Sequence, residues 1–354
     1  DGPAGERDSR RLLAACSRLL DMSTEERSSL GKACRQRVID QFSMQSMIGH
    51  FQSLFTSITA FSISPSFHSS NRICGTAGSF SPPSETAESL TSTLRSMTDA
   101  IVHRGPDDAG HWVDAECGVA LGHRRLSILD LSPLGHQPMA SADGRYVIVF
   151  NGEVYNFQDL RAELEALGHA WKGHSDTEVM LAAMVQWGVD AATARFNGMF
   201  AFAVWDRQDR ALHLGRDRLG EKPLYYGWVG DSFVFCSELK SLAEFPGFER
   251  TVDRASLTQL LRFNYVPDPH CIFEGLHKLP PGGLISLQKP ADRPAPRLYW
   301  SLREVIQRGM SHPFAGTETE ATQRLEELLT QSVKQRMIAD VPLGAFLSGG
   351  IDSS

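Results

Sequence analysis

A cysteine flanked by small residues is the first feature of the sequence that could carry out chemistry. Cys74 opens the stretch CGTAGSF, in which Gly75 and Gly78 leave room for a substrate to approach the backbone. A cysteine thiolate is a strong nucleophile where a base or a positive charge favours its formation. A lone cysteine is more often a small buried hydrophobic residue, so the assignment depends on the residues that accompany it.

Polar residues in three downstream motifs suit a site built around such a nucleophile. Arg125, in LGHRRLSILDLS, can bind a carboxylate through paired hydrogen bonds. Asp176, in HSDTEV, and Glu153, in FNGEVYN, can hold an ammonium group. Asn151 and the N–H of Gly152, also in FNGEVYN, can form an oxyanion hole. A thiolate beside an amino-acid clamp and an oxyanion hole predicts acyl transfer from glutamine.

Each of these polar residues also has an ordinary structural interpretation. Arg125 could be a charge at a strand edge, Asn151-Gly152 a hairpin turn, and Asp176 an acid in the first turn of a helix. Their joint appearance in this order favours the catalytic interpretation.

Composition excludes several classes of protein. The chain has 354 residues, 42% of them hydrophobic, and a net charge of −7, which is ordinary for a globular protein and unlike a nucleic-acid-binding one. Six scattered cysteines without a CxxC pair argue against a zinc site or a disulfide scaffold and favour a reducing cytoplasm. Neither a membrane-spanning apolar run nor a signal peptide is recognisable, and the histidines show no metal-ligand spacing.

Short strands dominate the middle of the chain and must position the candidate residues. We expect a strand in YVIVFNGEVYN that ends in an Asn151-Gly152 turn, and a strand with Arg125 near its middle. Hairpins are predicted to turn at 206–210 and 230–231. Such hairpins, interrupted by a few helices, indicate an α+β layered domain.

Capping signals predict three helices in the same part of the sequence. One runs from about 157 to 167 and stops at Gly168. A second starts at Ser175, where Glu178 would complete a capping box, and stops near Gly188. A third, amphipathic helix follows Thr317, whose capping-box partner is Glu320.

A glycine-rich stretch closes the sequence. VPLGAFLSGGIDSS indicates a short buried strand followed by a loop whose backbone N–H groups suit a phosphate, although the spacing is not that of a Walker A motif. The helix that should follow such a loop is missing, so we expect the sequence to be cut within a domain.

The first part of the sequence has a different character. Residues 1–57 indicate helices and resemble the carboxyl-terminal tail of GT-B glycosyltransferases, with no donor-sugar site and therefore no implied glycosyl transfer. Residues 58–73 are serine-rich and predict a linker.

From Cys74 onwards, ordered motifs give a more specific resemblance. CGTAGSF, HRGPDDAG, HRRLSILD, FNGEVYNF, HSDTEV, GRDRLGEKPLYY, SELKSL and VPLGAFLSGGIDSS are similar to those of glutamine-hydrolysing asparagine synthetases. The resemblance implies a class II glutamine amidotransferase domain at 74–287, with the αββα sandwich of the N-terminal-nucleophile hydrolases. It also implies the truncated start of an α/β PP-loop ATP pyrophosphatase domain at 288–354.

The resemblance assigns roles position by position. Cys74 matches the nucleophile, Asn151 and Gly152 match the oxyanion hole, and Arg125, Glu153 and Asp176 match the glutamine-binding residues. The residues that match ATP-binding positions are Leu347, Ser348, Gly349, Gly350, Asp352, Ser353 and Ser354.

The implied activity is a cytoplasmic ligase reaction. Glutamine would be hydrolysed to glutamate and ammonia, and ATP with Mg²⁺ would activate aspartate for conversion to asparagine. No nucleic-acid or membrane partner is expected, and a homodimer is compatible with the resemblance. Three alternatives stay open: a related amidotransferase that amidates a sugar or peptide in polysaccharide biosynthesis, another amidotransferase with the same first domain, and a scaffold with an inactive site.

Ile73 is the departure from the family pattern that matters most. In this fold the general base is the free α-amino group of the nucleophile itself, and in the family a methionine precedes the cysteine and is removed. An amide nitrogen has no such basicity. We therefore expect either that translation begins at residue 73 or that a leader is cleaved before Cys74.

Overall fold

Two six-stranded antiparallel sheets form the framework of the part of the chain that the structure describes. The computed structural model describes residues 74–83 and 85–342. The strands are β1 (Gly75–Phe80), β2 (Asp108–Asp114), β3 (Val119–Arg125), β4 (Met139–Ala140), β5 (Tyr146–Val154), β6 (Gly198–Asp206), β7 (Ala211–Arg216), β8 (Tyr225–Val229), β9 (Ser232–Cys236), β10 (Leu276–Lys278), β11 (Gly283–Leu287) and β12 (Arg297–Leu298). The strand order is β10-β8-β9-β1-β3-β2 in the first sheet and β12-β11-β7-β6-β5-β4 in the second.

Helices connect and cover the strands. They are α1 (Ala87–Asp99), α2 (Phe157–Ala166), α3 (Asp176–Arg195), α4 (Leu239–Leu242), α5 (Arg254–Phe263), α6 (Leu302–Ser311) and α7 (Glu318–Arg336), with a short 3₁₀ turn at Pro133–Gly135.

Alternation along the strands builds a four-layer sandwich. In β5 and β6 the odd-numbered residues, such as Val149 and Trp205, pack against the first sheet. The even-numbered residues, such as Phe150, pack against α2 and α3. Ala77 of the first sheet packs on its other face against Met97 of α1. This arrangement confirms the αββα sandwich and the α+β class expected from the sequence.

The layer between the sheets changes from apolar to polar along its length. On β3, Val119 and Leu121 join the apolar interlayer core, and the next residues on the same face are His123 and Arg125. On β5, the residue that follows Val149 on the inner face is Asn151. The polar end of this layer therefore contains several of the predicted site residues.

Most of the predicted local elements are confirmed. The two hairpins form between β6 and β7 and between β8 and β9. The first predicted helix is α2, which ends before Gly168 at a φ of 94°. The capping box of Thr317 and Glu320 begins α7.

Three local predictions are wrong in detail. Asn151-Gly152 is not a turn, because β5 continues through it in register with Ala201 and Phe200 of β6. Arg125 is the last residue of β3 rather than near its middle.

The third correction concerns α3. The helix is interrupted at Gly188, with φ 79°, but resumes and reaches Arg195. Ser175 caps it as expected, whereas the Glu178 carboxylate accepts hydrogen bonds from the N–H groups of Lys172 and Gly173 instead of completing the capping box.

Several sequence predictions lie outside the described residues. These are the helical tail at 1–57, the linker at 58–73, and the ATP-binding residues Leu347, Ser348, Gly349, Gly350, Asp352, Ser353 and Ser354. Among residues 74–83 and 85–342, no helix combines the length and hydropathy needed to cross a bilayer, and no three His, Cys, Asp or Glu side chains converge as metal ligands.

Candidate active site

One small cavity at the polar end of the interlayer brings the six predicted amidotransferase residues together. Its volume is about 130 Å³, and its walls include Cys74, Arg125, Asn151, Gly152, Glu153 and Asp176. The size suits a ligand no larger than an amino acid, because pockets for drug-sized molecules are usually several hundred Å³. A larger cleft of about 500 Å³, lined by Met139, Trp171 and Val185, contains none of the six.

Cys74 lies immediately before β1, and its backbone and thiol are both held. The Arg104 Nε–H donates a hydrogen bond to the Cys74 carbonyl at 3.1 Å, and the Leu126 N–H donates to Sγ at 3.4 Å. Burial raises the pKa of the Cys74 thiol above its ordinary value, whereas the Leu126 N–H, Arg125 and Lys222 act in the opposite direction. The thiol is therefore protonated at neutral pH, and an attack on a substrate needs a base to take its proton.

Lys222 is the site residue that the sequence interpretation missed. Its side chain lines the cavity and is 6% exposed. Burial lowers the pKa of the Lys222 ammonium, and the neighbouring Glu153 and Cys74 raise it. The charged motif GRDRLGEKPLYY was the available signal, but no local pattern indicates that this lysine turns inward.

A loop with unusually complete hydrogen bonding presents Lys222 to the cavity. The buried Asp217 carboxylate accepts hydrogen bonds from the N–H groups of Phe200, Leu219, Glu221 and Lys222, at 2.9 to 3.1 Å. Beside it, the Arg216 guanidinium donates to the carbonyls of Lys222, Leu279 and Gly220. The loop therefore has little freedom to withdraw the lysine.

Asn151 and Gly152 stand on β5 where the cavity meets the second sheet. The Asn151 side chain is 1% exposed, and neither its amide nitrogen nor its oxygen has a hydrogen-bond partner among the described residues. Leaving a buried polar group unpaired costs about 1–3 kcal/mol, so this amide is suited to a ligand. A Cβ at position 152 would lie 2.1 Å from the Met199 carbonyl oxygen, so only glycine fits there.

The residue before Asn151 is held from two directions. The His123 Nε2–H donates to the Phe150 carbonyl at 3.0 Å, and the Gln137 Oε1 accepts from the Phe150 N–H at 2.6 Å. Burial lowers the pKa of His123 to about 3, so the ring is neutral and acts as a donor rather than a catalytic base.

Two carboxylates share the cavity. Asp176, the first residue of α3, accepts a hydrogen bond from the Val154 N–H at 2.9 Å. Burial raises the pKa of Asp176 to about 6, and the nearby Glu153 acts in the same direction. Burial also raises the pKa of Glu153, opposed by Lys222 and Arg336. A ligand ammonium would stabilise both ionised carboxylates.

Arg125 faces the cavity from the end of β3 and is 7% exposed. Its guanidinium donates hydrogen bonds to the carbonyls of Leu129, Asp130 and Ser132. A Cβ on Gly135 would lie 2.0 Å from Nη2, so this glycine makes room for the guanidinium. These carbonyls take one Nη1–H and the Nη2 group, so within the described part of the chain the Nε–H and one Nη1–H keep no partner. They lie on different edges of the guanidinium, and either can donate one hydrogen bond to a carboxylate.

Comparison with known families identifies this arrangement. A family model described as "Glutamine amidotransferase domain" matches residues 73–300, nearly two thirds of the chain. The chain belongs to the glutamine amidotransferase family. A second model, described as "Asparagine synthase", matches residues 324–354.

Individual relatives of this amidotransferase chain carry two kinds of name. "Asparagine synthetase [glutamine-hydrolyzing] 1" of Bacillus subtilis is 37% identical over 80% of this chain and 43% of its own length. "Amidase chry2" of Gibberella zeae is 35% identical over 76% of this chain and 38% of its own length. The chain thus spans less than half the length of these two relatives.

Among solved structures, the glutamine phosphoribosylpyrophosphate amidotransferase of B. subtilis matches 65% of this chain and 50% of its own. The TM-score is 0.48 and the sequence identity 17%.

We expect Asp176→Asn to increase the free energy of unfolding at pH 8. The folded-state pKa is raised, so the cost of burying the charge is complete above about pH 6 and disappears near the ordinary value of 3.8. At about 1.4 kcal/mol per pKa unit, the gain in the free energy of unfolding is at most roughly 3 kcal/mol. Asparagine can still accept the hydrogen bond from the Val154 N–H, so the substitution removes the buried charge and keeps that bond. Urea unfolding at pH 8 and pH 4 measures it.

The exposed Asp159, in the first turn of α2, provides the matched control, because Asp159→Asn removes a charge that is not buried. A loss of stability in Asp176→Asn at pH 8 would contradict the explanation.

Cys74 should be alkylated slowly by iodoacetamide at pH 7, and its rate should rise only above the pH at which an ordinary cysteine ionises. Lys222→Met should move this rise to still higher pH, because it removes a positive charge that favours the thiolate. Site-resolved mass spectrometry follows Cys74 separately from the other cysteines. The exposed Lys289→Met serves as control, and a full reaction of Cys74 at pH 7 would show that burial does not dominate.

Proposed function

We propose that this chain supplies the glutaminase site of a glutamine-dependent asparagine synthetase. Glutamine would be hydrolysed to glutamate and ammonia, and ammonia would then convert ATP-activated aspartate to asparagine. The observation that carries the proposal is the buried, unpartnered amide of Asn151 in the same small cavity as Cys74. The matches to the two family models support it.

Substrate binding uses the charges of the cavity. Arg125 would donate a hydrogen bond to the α-carboxylate of glutamine from one of its remaining N–H groups, and Asp176 with Glu153 would hold the α-ammonium. The side-chain amide would then point towards Cys74, with its oxygen on Asn151 and the N–H of Gly152.

In the first chemical step, Cys74 Sγ attacks the amide carbon as its proton passes to a base. The oxyanion is stabilised by Asn151 and Gly152, and the C–N bond breaks once the leaving nitrogen has been protonated, which releases ammonia. Water then hydrolyses the resulting thioester to glutamate and regenerates the thiol. The raised pKa of the thiol makes the base essential. A free α-amino group on Cys74 would have a pKa close to neutrality and meets this need.

ATP and Mg²⁺ belong to the second half-reaction. Leu347, Ser348, Gly349, Gly350, Asp352, Ser353 and Ser354 are the residues proposed to bind ATP. A glycine-rich loop offers backbone N–H groups for its phosphates, and Mg²⁺ would accompany the nucleotide. Aspartate is the proposed acceptor of ammonia, and a homodimer in the cytoplasm is the proposed state of the protein.

A second candidate is an amidotransferase of the same mechanism that amidates a sugar or peptide. The similarity to the relative named "Amidase chry2" favours keeping it. The two candidate functions are distinguished by the acceptor that supports pyrophosphate release. This release is measured on a protein that contains the whole synthetase domain, with aspartate and then with other acceptors.

The need for a free α-amino group gives a direct test. We expect a version that begins with Met followed by Cys74, from which the methionine is removed, to release glutamate from glutamine. The chain with Ile73 before Cys74 should be slower by roughly 10²–10⁴-fold, because its general base is an amide. Glutamate release and the mass of each purified protein are measured together. Equal activity in a protein that retains residues 1–73 would contradict this requirement.

Asn151→Ala in the active version should lower kcat by roughly 10²–10³-fold, because the oxyanion loses one donor. Glutamine affinity, measured by calorimetry in a Cys74→Ala background, should change little, since the donor acts mainly in the transition state. A large loss of affinity with little change in kcat would instead assign Asn151 to ground-state binding.

A further inference from the structure

The segment that follows α7 is fastened to the loop that surrounds Arg125. The Asp340 N–H donates to the Ile128 carbonyl at 2.9 Å, and the Asp340 Oδ2 accepts from the Asp130 N–H at 2.7 Å. The same carboxylate lies 2.8 Å from His174 Nε2, two residues before Asp176. Residues far apart in the sequence therefore meet beside the glutamine site.

Asp130 is the strained residue of this loop. It has a φ of 55°, in the left-handed region that is unfavourable for a residue with a side chain, and it is fully buried. Its own carboxylate accepts from the Ser132 N–H and hydroxyl and from the His174 N–H. Such a conformation costs about 1–3 kcal/mol and persists only where the surrounding contacts enforce it. The Asp340 carboxylate is the contact from the most distant part of the sequence, 210 residues further along the chain.

The shape of this loop determines where the Arg125 guanidinium lies. All three of the carbonyls that accept from Arg125 belong to residues of the loop, and one of them is the carbonyl of Asp130 itself. A rotation about the Asp130 backbone would move its carbonyl away from Arg125, and the Arg125 guanidinium would lose one of the acceptors that hold its orientation. The N–H groups that Arg125 keeps for a ligand would then point in a different direction.

We propose that Asp340 is a positioning residue for glutamine binding, which holds Asp130 in its left-handed conformation and thereby fixes the direction of Arg125. The inference rests on the proposed function of Arg125 as the clamp for the α-carboxylate. The hydrogen-bond partners of Asp340 within the described residues are Ile128, Asp130 and His174, none of which is proposed to react, so its effect reaches the ligand through the loop.

Glutamine binding to the full chain tests this directly. In a Cys74→Ala background, which prevents turnover, Asp340→Ala should raise the glutamine Kd roughly tenfold, the loss expected when a hydrogen bond to a charged acceptor disappears. Asp340→Asn keeps an acceptor oxygen and should stay within a few-fold of the parent. Glu326→Ala, which removes an exposed acid from α7, is the matched control and should leave Kd unchanged.

A double-mutant cycle separates positioning from general destabilisation. Arg125→Lys cannot use the same carbonyls, so adding Asp340→Ala to it should have at most a twofold further effect on Kd. A structural role alone would lower the fraction of folded protein and leave the Kd of the remainder unchanged. Hydrogen exchange at 128–132 should also become faster in Asp340→Ala but not in Glu326→Ala.

The outcomes are distinct. An unchanged Kd in Asp340→Ala, or a full tenfold effect in the Arg125→Lys background, overturns the positioning role while leaving the glutamine site in place. Absence of glutamine binding by the Cys74→Ala parent itself overturns the proposed function, and this inference with it.

Discussion

The face-to-face packing of the two sheets is the constraint on which the site depends. Cys74 immediately precedes β1 of the first sheet, Arg125 ends β3 of the same sheet, and Asn151 lies in the second sheet. They therefore share a cavity only when the sheets pack in one register. The hydrogen bond from His123 to the Phe150 carbonyl crosses this interface and fixes the peptide beside Asn151. Gln137 replaces a backbone partner for Phe150, because β4 begins only at Met139. The apolar part of the interlayer thus provides the rigidity that its polar end requires.

Burial gives the site its chemical character. It raises the pKa of the Cys74 thiol and the Asp176 carboxyl and lowers the pKa of the Lys222 ammonium, so each group is driven towards its uncharged form. A zwitterionic amino acid carries the charges that reverse this tendency. Burying these groups without a ligand therefore lowers the stability of the folded protein, and a bound amino acid would offset this cost. This is the pattern expected of a functional site.

Sequence patterns correctly predicted the structural features that depend on residues close together in the sequence. Hairpin turns, the cap at Ser175, the capping box at Thr317 and the αββα class follow from local periodicity or from ordered motifs, and the structure confirms them. The six residues that ordered motifs assigned to the amidotransferase site also line one cavity, and their roles stay predictions. The turn predicted at Asn151-Gly152 is wrong, because pairing with β6 continues through both residues and keeps them in the strand. Lys222 was missed because its inward direction is set by Asp217, whose hydrogen bonds reach Phe200 on another strand.

The lengths of the outer strands have a consequence for behaviour at high concentration. An exposed sheet edge can pair with the edge of another molecule and start aggregation. Three of the four outer strands, β4, β12 and β10, have only two or three residues, too few to template an added strand. The fourth, β2, has seven residues but begins and ends with aspartate, and like charges there repel a second copy. These four outer strands therefore offer little backbone of their own to a second copy.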